Sequence, residues 1–154
     1  MLHPVDPELS FDVEALLPEA YVAEVGVRLS LYKRLAGASE ESEIDELATE
    51  MEDRFGSPPP EARRLVELMR LKVELRRLFV LGCEATGKSV TLHLREDTPL
   101  DPQKIGALLA QKKSPYKITP DGRLTRRASD GEAVADGLVL ASKMLSELSS
   151  CLKD

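Results

Sequence analysis

The stretch Gly82-Cys83-Glu84-Ala85-Thr86-Gly87-Lys88-Ser89 satisfies the spacing G-x-x-x-x-G-K-[ST] of a phosphate-binding loop. In such a loop backbone amides wrap the phosphates, the lysine neutralises their charge, the hydroxyl binds magnesium, and a helix begins whose N-terminus faces the anion. The chemistry would be nucleotide binding and phosphoryl transfer. The residues that follow, Val90-Thr91-Leu92-His93-Leu94-Arg95, alternate apolar and polar as a strand does, and no later apolar run ends in an aspartate to hold the metal. The sequence therefore predicts a hairpin turn over residues 86–89, with Gly87 supplying a positive φ. On that reading Gly82, Gly87, Lys88 and Ser89 match the pattern without forming a cofactor site.

Other groups could do chemistry of a weaker kind. Lys112, Lys113, Lys117, Arg123, Arg126 and Arg127 surround Tyr116, and a continuous basic patch of that sort could meet nucleic-acid phosphates; a solvated loop and hairpin is the plainer reading. His3 and His93 lack the three or four convergent ligands a metal needs, and no Ser/His/Asp or Cys/His set can be assembled. Cys83 and Cys151 stand far apart, as reduced thiols of a cytoplasmic protein would. Neither catalytic residues, cofactor nor metal are expected.

Charge is distributed unevenly. The 154 residues carry a net charge of -6, yet residues 1–61 hold 15 acidic against 4 basic side chains. So acidic a first third disfavours DNA or an anionic membrane as its partner. The longest apolar runs are too short to span a bilayer. With no Trp, three Phe and three Tyr, the core must be built mainly of Leu, Val and Ala.

The elements that would position these groups follow from periodicity. Residues 1–7 read as a tail or boundary segment. Leu9, Phe11 and Val13 alternate with polar residues as a short strand, and a helical region opens at Pro18-Glu19, with Val25, Leu29, Tyr32 and Leu35 on one side and Leu31 nearby. Its basic residues Arg28, Lys33 and Arg34 are expected to pair with neighbouring acids. Ser39 is a candidate N-cap for a helix lined by Ile44, Leu47, Met51 and Phe55 and stopped by Gly56. Ser57 is a candidate cap for a longer, central helix with two apolar stripes, Leu65, Leu68, Leu71, Leu75 and Leu78 beside Val66, Met69 and Val73. A hairpin over about 78–95, a helix capped by Asp101, and a second hairpin about Pro120-Asp121-Gly122 follow. A final helix, capped by Ser129 or Asp130, carries Val134, Leu138, Ala141, Leu145, Leu148 and Leu152. The expected fold is α+β: N-terminal strand and helices, a central long helix, two short β-hairpins and a C-terminal helix, over residues 8–154 as one domain.

Three segments taken together resemble one known family. They are Leu17-Pro18-Glu19-Ala20-Tyr21-Val22 with Arg28-Leu29-Ser30-Leu31-Tyr32-Lys33-Arg34-Leu35; Glu50-x-x-Asp53-Arg54-Phe55-Gly56; and residues 58–70. The likeness is to the C-terminal (TRCF) domains of bacterial transcription-repair coupling factors (Mfd), and it is clear over about residues 16–79. The resemblance implies a non-enzymatic module of a large ATP-dependent DNA translocase that removes stalled RNA polymerase and recruits the excision-repair protein UvrA. It further implies autoinhibition, in which this domain packs on the UvrA-binding, UvrB-like module of the same protein and masks it. The masking contact would map onto Glu50, Asp53 and Arg54. Beside that stands a simpler reading of the residues: Glu50 and Arg54, four apart on a helix, pair with each other.

Overall fold

Where the apolar residues recur every third or fourth position the chain is helical, and where they alternate it is extended. The computed structural model describes residues 5–132 and 134–154. The order is β1 (Glu8–Phe11), α1 (Val25–Ala36), α2 (Glu41–Phe55), α3 (Pro60–Arg77), β2 (Val80–Ala85), β3 (Ser89–Leu94), α4 (Pro102–Ala110), β4 (Tyr116–Ile118), β5 (Arg123–Arg127) and α5 (Gly137–Leu148), closed by a 3-10 turn at Ser149–Cys151. The fold is α+β, and the chain divides into two compact units, Glu14–Val73 and Met1–Val13 with Glu74–Asp154. The boundary falls within α3.

The helical unit is built on α1, α2 and the part of α3 up to Val73. Its core holds Leu31 and Leu35 of α1, Ile44, Leu47 and Met51 of α2, and Ala62, Leu65, Val66 and Val73 of α3, with Leu17 and Val22 from the preceding segment. The expected stripe on α1 is corrected here. Tyr32 and Leu35 face the core as expected and Leu31 joins them, but Val25 and Leu29 are 58% and 62% exposed. The helix also begins later than expected: residues 18–22 form a turn in which the amides of Tyr21 and Val22 both donate to the Pro18 carbonyl. Arg28 donates to the carbonyls of Val22 and Ala23 at 2.8 and 3.1 Å, and among the described residues it pairs with no acid.

Helix α2 ends at Gly56, whose φ of 86° is one that L side chains rarely adopt. Its N-cap is Glu40 rather than Ser39, with no side-chain cap. Pro60 opens α3, three residues past Ser57; the first amides of the turn, on Ala62 and Arg63, donate to the Pro59 carbonyl. Proline suits that first position because its missing N–H would have no acceptor in the helix.

The other unit is a five-stranded sheet in the order β1-β2-β3-β5-β4. Both expected hairpins are present and share one sheet, β3 pairing with β5, and β1 joins it in parallel beside β2. Cys83, Ala85, Val90, Leu92 and Leu124 make its buried face, on which α5 packs through Leu138, Leu140, Ala141, Met144, Leu145 and Leu148. The other face is polar and carries Glu84, Thr91, His93 and Arg123. Asp101 caps α4 as expected. For α5 the cap is Asp136, whose carboxylate accepts from the Val139 amide, rather than Ser129 or Asp130; Val134 precedes the helix and Leu152 follows it. Of the N-terminal stretch, Pro7 is buried and Asp6 lies 3.2 Å from the Arg76 guanidinium; His3 lies outside the described residues.

Candidate functional site

The phosphate-loop match closes the β2–β3 hairpin, and a strand follows it, not a helix. Its amides are engaged by the chain itself. Gly87 donates to the Asp12 carboxylate at 3.0 Å, and Lys88 and Ser89 donate to the Thr86 hydroxyl at 3.1 and 3.3 Å. Asp12 thus places an internal anion where a phosphate loop would present a free amide, and its other oxygen accepts from Gly137 at 2.7 Å. One detail differs from expectation: Gly87 does not take a positive φ. A Cβ there would sit 3.4 Å from the Val134 carbonyl oxygen, an ordinary contact, so the space around this position does not itself require glycine.

Of the six basic residues around Tyr116, one is taken into the fold. Arg126 is only 4% exposed and is clamped between two carboxylates, Glu132 at 3.0 and 3.2 Å and Glu147 at 2.8 and 3.2 Å. Tyr116 donates to Glu147, and Lys143 and the Ser129 amide to Glu132. Arg126 and then the Ser129 amide pull the Glu132 carboxyl down to about 2. Burial alone would raise Glu147, but hydrogen bonds from Arg126 and Tyr116 bring it below its ordinary value. Arg123 is held by Asp121 and Arg127 by the Ser114 carbonyl, and both stay exposed with Lys112, Lys113 and Lys117. Cys83 is buried, and desolvation pushes its thiol up to about 12, so it is not a nucleophile at neutral pH.

The third candidate lies on the outer side of α2. Ile44, Leu47 and Met51 face the core, which turns Glu50, Asp53 and Arg54 away from it. Arg34, on α1, forks onto Glu50 with Nη1–Oε2 and Nη2–Oε1 distances of 2.7 and 2.9 Å. Arg54 Nη1 donates to the same Oε2 at 3.3 Å, and its guanidinium lies 4.9 Å from the Phe55 ring centroid. The Arg34 hydrogen bond, with a smaller share from Arg54, holds the Glu50 carboxyl below its ordinary value. Asp53 is exposed, and among the described residues no side-chain hydrogen bond or ion pair engages it. The expected Glu50–Arg54 pair is therefore present, joined by Arg34 from α1. Only the general expectation that the α1 cations pair with acids pointed toward Arg34.

What such a cluster can do is recognise protein. Among the described residues it holds no thiol or hydroxyl nucleophile and no metal-binding set; it offers a paired guanidinium and an exposed carboxylate side by side. Similarity to known proteins decides the family. The sequence model of the TRCF domain matches residues 11–105. The chain belongs to the TRCF domain family. A transcription-repair-coupling factor of Myxococcus xanthus is 36% identical over 147 residues, covering 96% of this chain and 12% of that protein. The coupling factor of Escherichia coli K12 is 32% identical over 117 residues, 76% of this chain and 10% of its own length. The chain thus spans about a tenth of the curated relatives it matches. A crystal structure of the C-terminal domain of a transcription-repair coupling factor superposes with a TM-score of 0.72 at 23% identity, over 94% of each chain, which confirms the TRCF fold. Residues 11–105 reach well past the segments that first suggested the family, through β2, β3 and into α4.

Proposed function

We propose that this TRCF domain is a non-catalytic regulatory module acting over residues 8–154. It masks the UvrA-binding, UvrB-like module of the coupling factor to which it belongs, through Glu50, Asp53 and Arg54. The setting is transcription-coupled DNA repair in the cytoplasm; UvrA, RNA polymerase and DNA are reached indirectly, through a parent translocase. One observation carries the reading: on the solvent side of α2 an arginine is held in place beside an aspartate that has no side-chain partner among the described residues. Surface arginines with a satisfied carboxylate are common, but a rigid, paired cation next to a free anion is suited to reciprocal ion pairing across an interface.

Titration calorimetry of this chain against the UvrA-binding module tests it. Heat of binding that falls in Asp53→Ala and in Arg54→Ala, with circular dichroism unchanged, is the expected result. An equally tight complex in both variants would move the contact elsewhere. The non-catalytic half of the reading has its own test. No micromolar binding of a fluorescent ATP analogue is expected, and binding that Lys88→Ala abolishes would overturn it.

A further inference from the structure

The three residues assigned to the masking contact are not equivalent, and the difference specifies the partner. Glu50 is already occupied: Oε2 accepts from both Arg34 and Arg54, and Oε1 accepts from Arg34. Arg54 spends one nitrogen on Glu50, and among the described residues its Nε and Nη2 make no hydrogen bond. Asp53 keeps its whole carboxylate. Resting on the masking reading, we infer that Arg34 and Glu50 are positioning residues which hold the Arg54 fork, while Asp53 and Arg54 alone meet the partner. The partner surface is accordingly a reciprocal pair: a cation opposite Asp53 and, beside it, a carboxylate that takes the free edge of Arg54.

The physical case rests on rotamer freedom. An exposed arginine has several rotatable bonds, and ordering it at an interface costs free energy. Here the cost is partly met before binding. The two-point fork from Arg34 fixes the Glu50 carboxylate, the fixed carboxylate fixes Arg54 Nη1, and the Phe55 ring supports the guanidinium from one side. Glu50 does not compete with the partner for Asp53, because both are anions. A partner carrying two cations would satisfy Asp53 and be repelled by Arg34 and Arg54, so the sign order along the partner is specified too.

The test joins this chain to the UvrA-binding module by a flexible linker, so that a weak contact is read at high effective concentration. The readout is the apparent Kd of UvrA for the linked protein against the module alone. Asp53→Arg should restore the affinity of the free module. Arg34→Met and Glu50→Gln should each restore part of it, roughly two- to fivefold, the range of an exposed ion pair. In an Arg54→Ala background Arg34→Met should change nothing further, since its effect passes through Arg54. A change of equal size with Arg54 absent, or no change in the native background while Asp53→Arg still unmasks, would overturn the positioning role and leave the masking reading standing. A linked protein that binds UvrA as tightly as the free module would remove the masking reading and this inference with it.

Discussion

Two arginine-carboxylate clusters use the same chemistry in opposite surroundings. In the helical unit Arg34, Glu50 and Arg54 lie in the open, with side chains 47%, 35% and 47% exposed. In the sheet unit Arg126, Glu132 and Glu147 meet over β5, with side chains 5%, 16% and 40% exposed. Water screens the first, so its pairs add little to stability and their arrangement is free to serve recognition. In the second, Arg126 and Glu132 are withdrawn from water, and Glu147 keeps one side open. There each partner depends on the others, because a charge left alone in a desolvated site has no substitute for its hydration shell. Exposure, not the residue types, decides whether such a cluster presents charge or anchors a fold.

Removing the central cation of each cluster should separate them most widely. Arg126→Met leaves Glu132 and Glu147 facing each other without their guanidinium and should destabilise the chain by about 3–5 kcal/mol, read from urea denaturation. A loss no larger than that of a surface pair would place Arg126 in the same class as Arg54.

Acid should distinguish the clusters next. The Glu132 carboxyl lies at about 2 in the folded chain against an ordinary 4.5, so the folded state binds its proton less readily than the unfolded state does. The resulting stabilisation is fully present above about 4.5 and is lost as pH falls toward 2. Glu132→Gln should therefore be less stable at neutral pH and flatter across that window. Tyr116→Phe, which deletes the hydroxyl donated to Glu147, should cost about 1 kcal/mol. Smallest of all, Arg34→Met should leave the denaturation midpoint unchanged, and a clear drop would show that the exposed cluster is structural.

The two clusters also differ in how far the sequence discloses them. Helices α2 and α3 and the strand β3 are legible because their apolar spacing is regular and their ends carry Gly56 and Pro60. Glu50 and Arg54 are legible as a pair for the same local reason, being four apart on one helix. Arg34 is sixteen residues from Glu50, and Arg126 is twenty-one from Glu147; their meeting is set by helix packing and by strand register, which no local pattern encodes. The parallel β1–β2 pairing is hidden likewise, since the entire helical unit lies between the two strands in sequence. On α1 the error is a matter of phase. Val25 and Leu29 hold helical spacing with Tyr32 and Leu35, yet only the latter two face inward, joined by Leu31, and only the packed core shows this. The α5 cap was missed because three residues near it, Ser129, Asp130 and Asp136, have the right chemistry and only the backbone selects among them.

The claim that joins these regions is that the open cluster on α2 exists for contact. Its most direct test reverses the charges of Asp53 and Arg54 together, Asp53→Arg with Arg54→Asp, in the chain linked to the UvrA-binding module, and measures UvrA affinity. Affinity rising to that of the free module, with an unchanged circular dichroism spectrum and denaturation midpoint, is the predicted result. Masking that persists undiminished in the correctly folded double variant would contradict it.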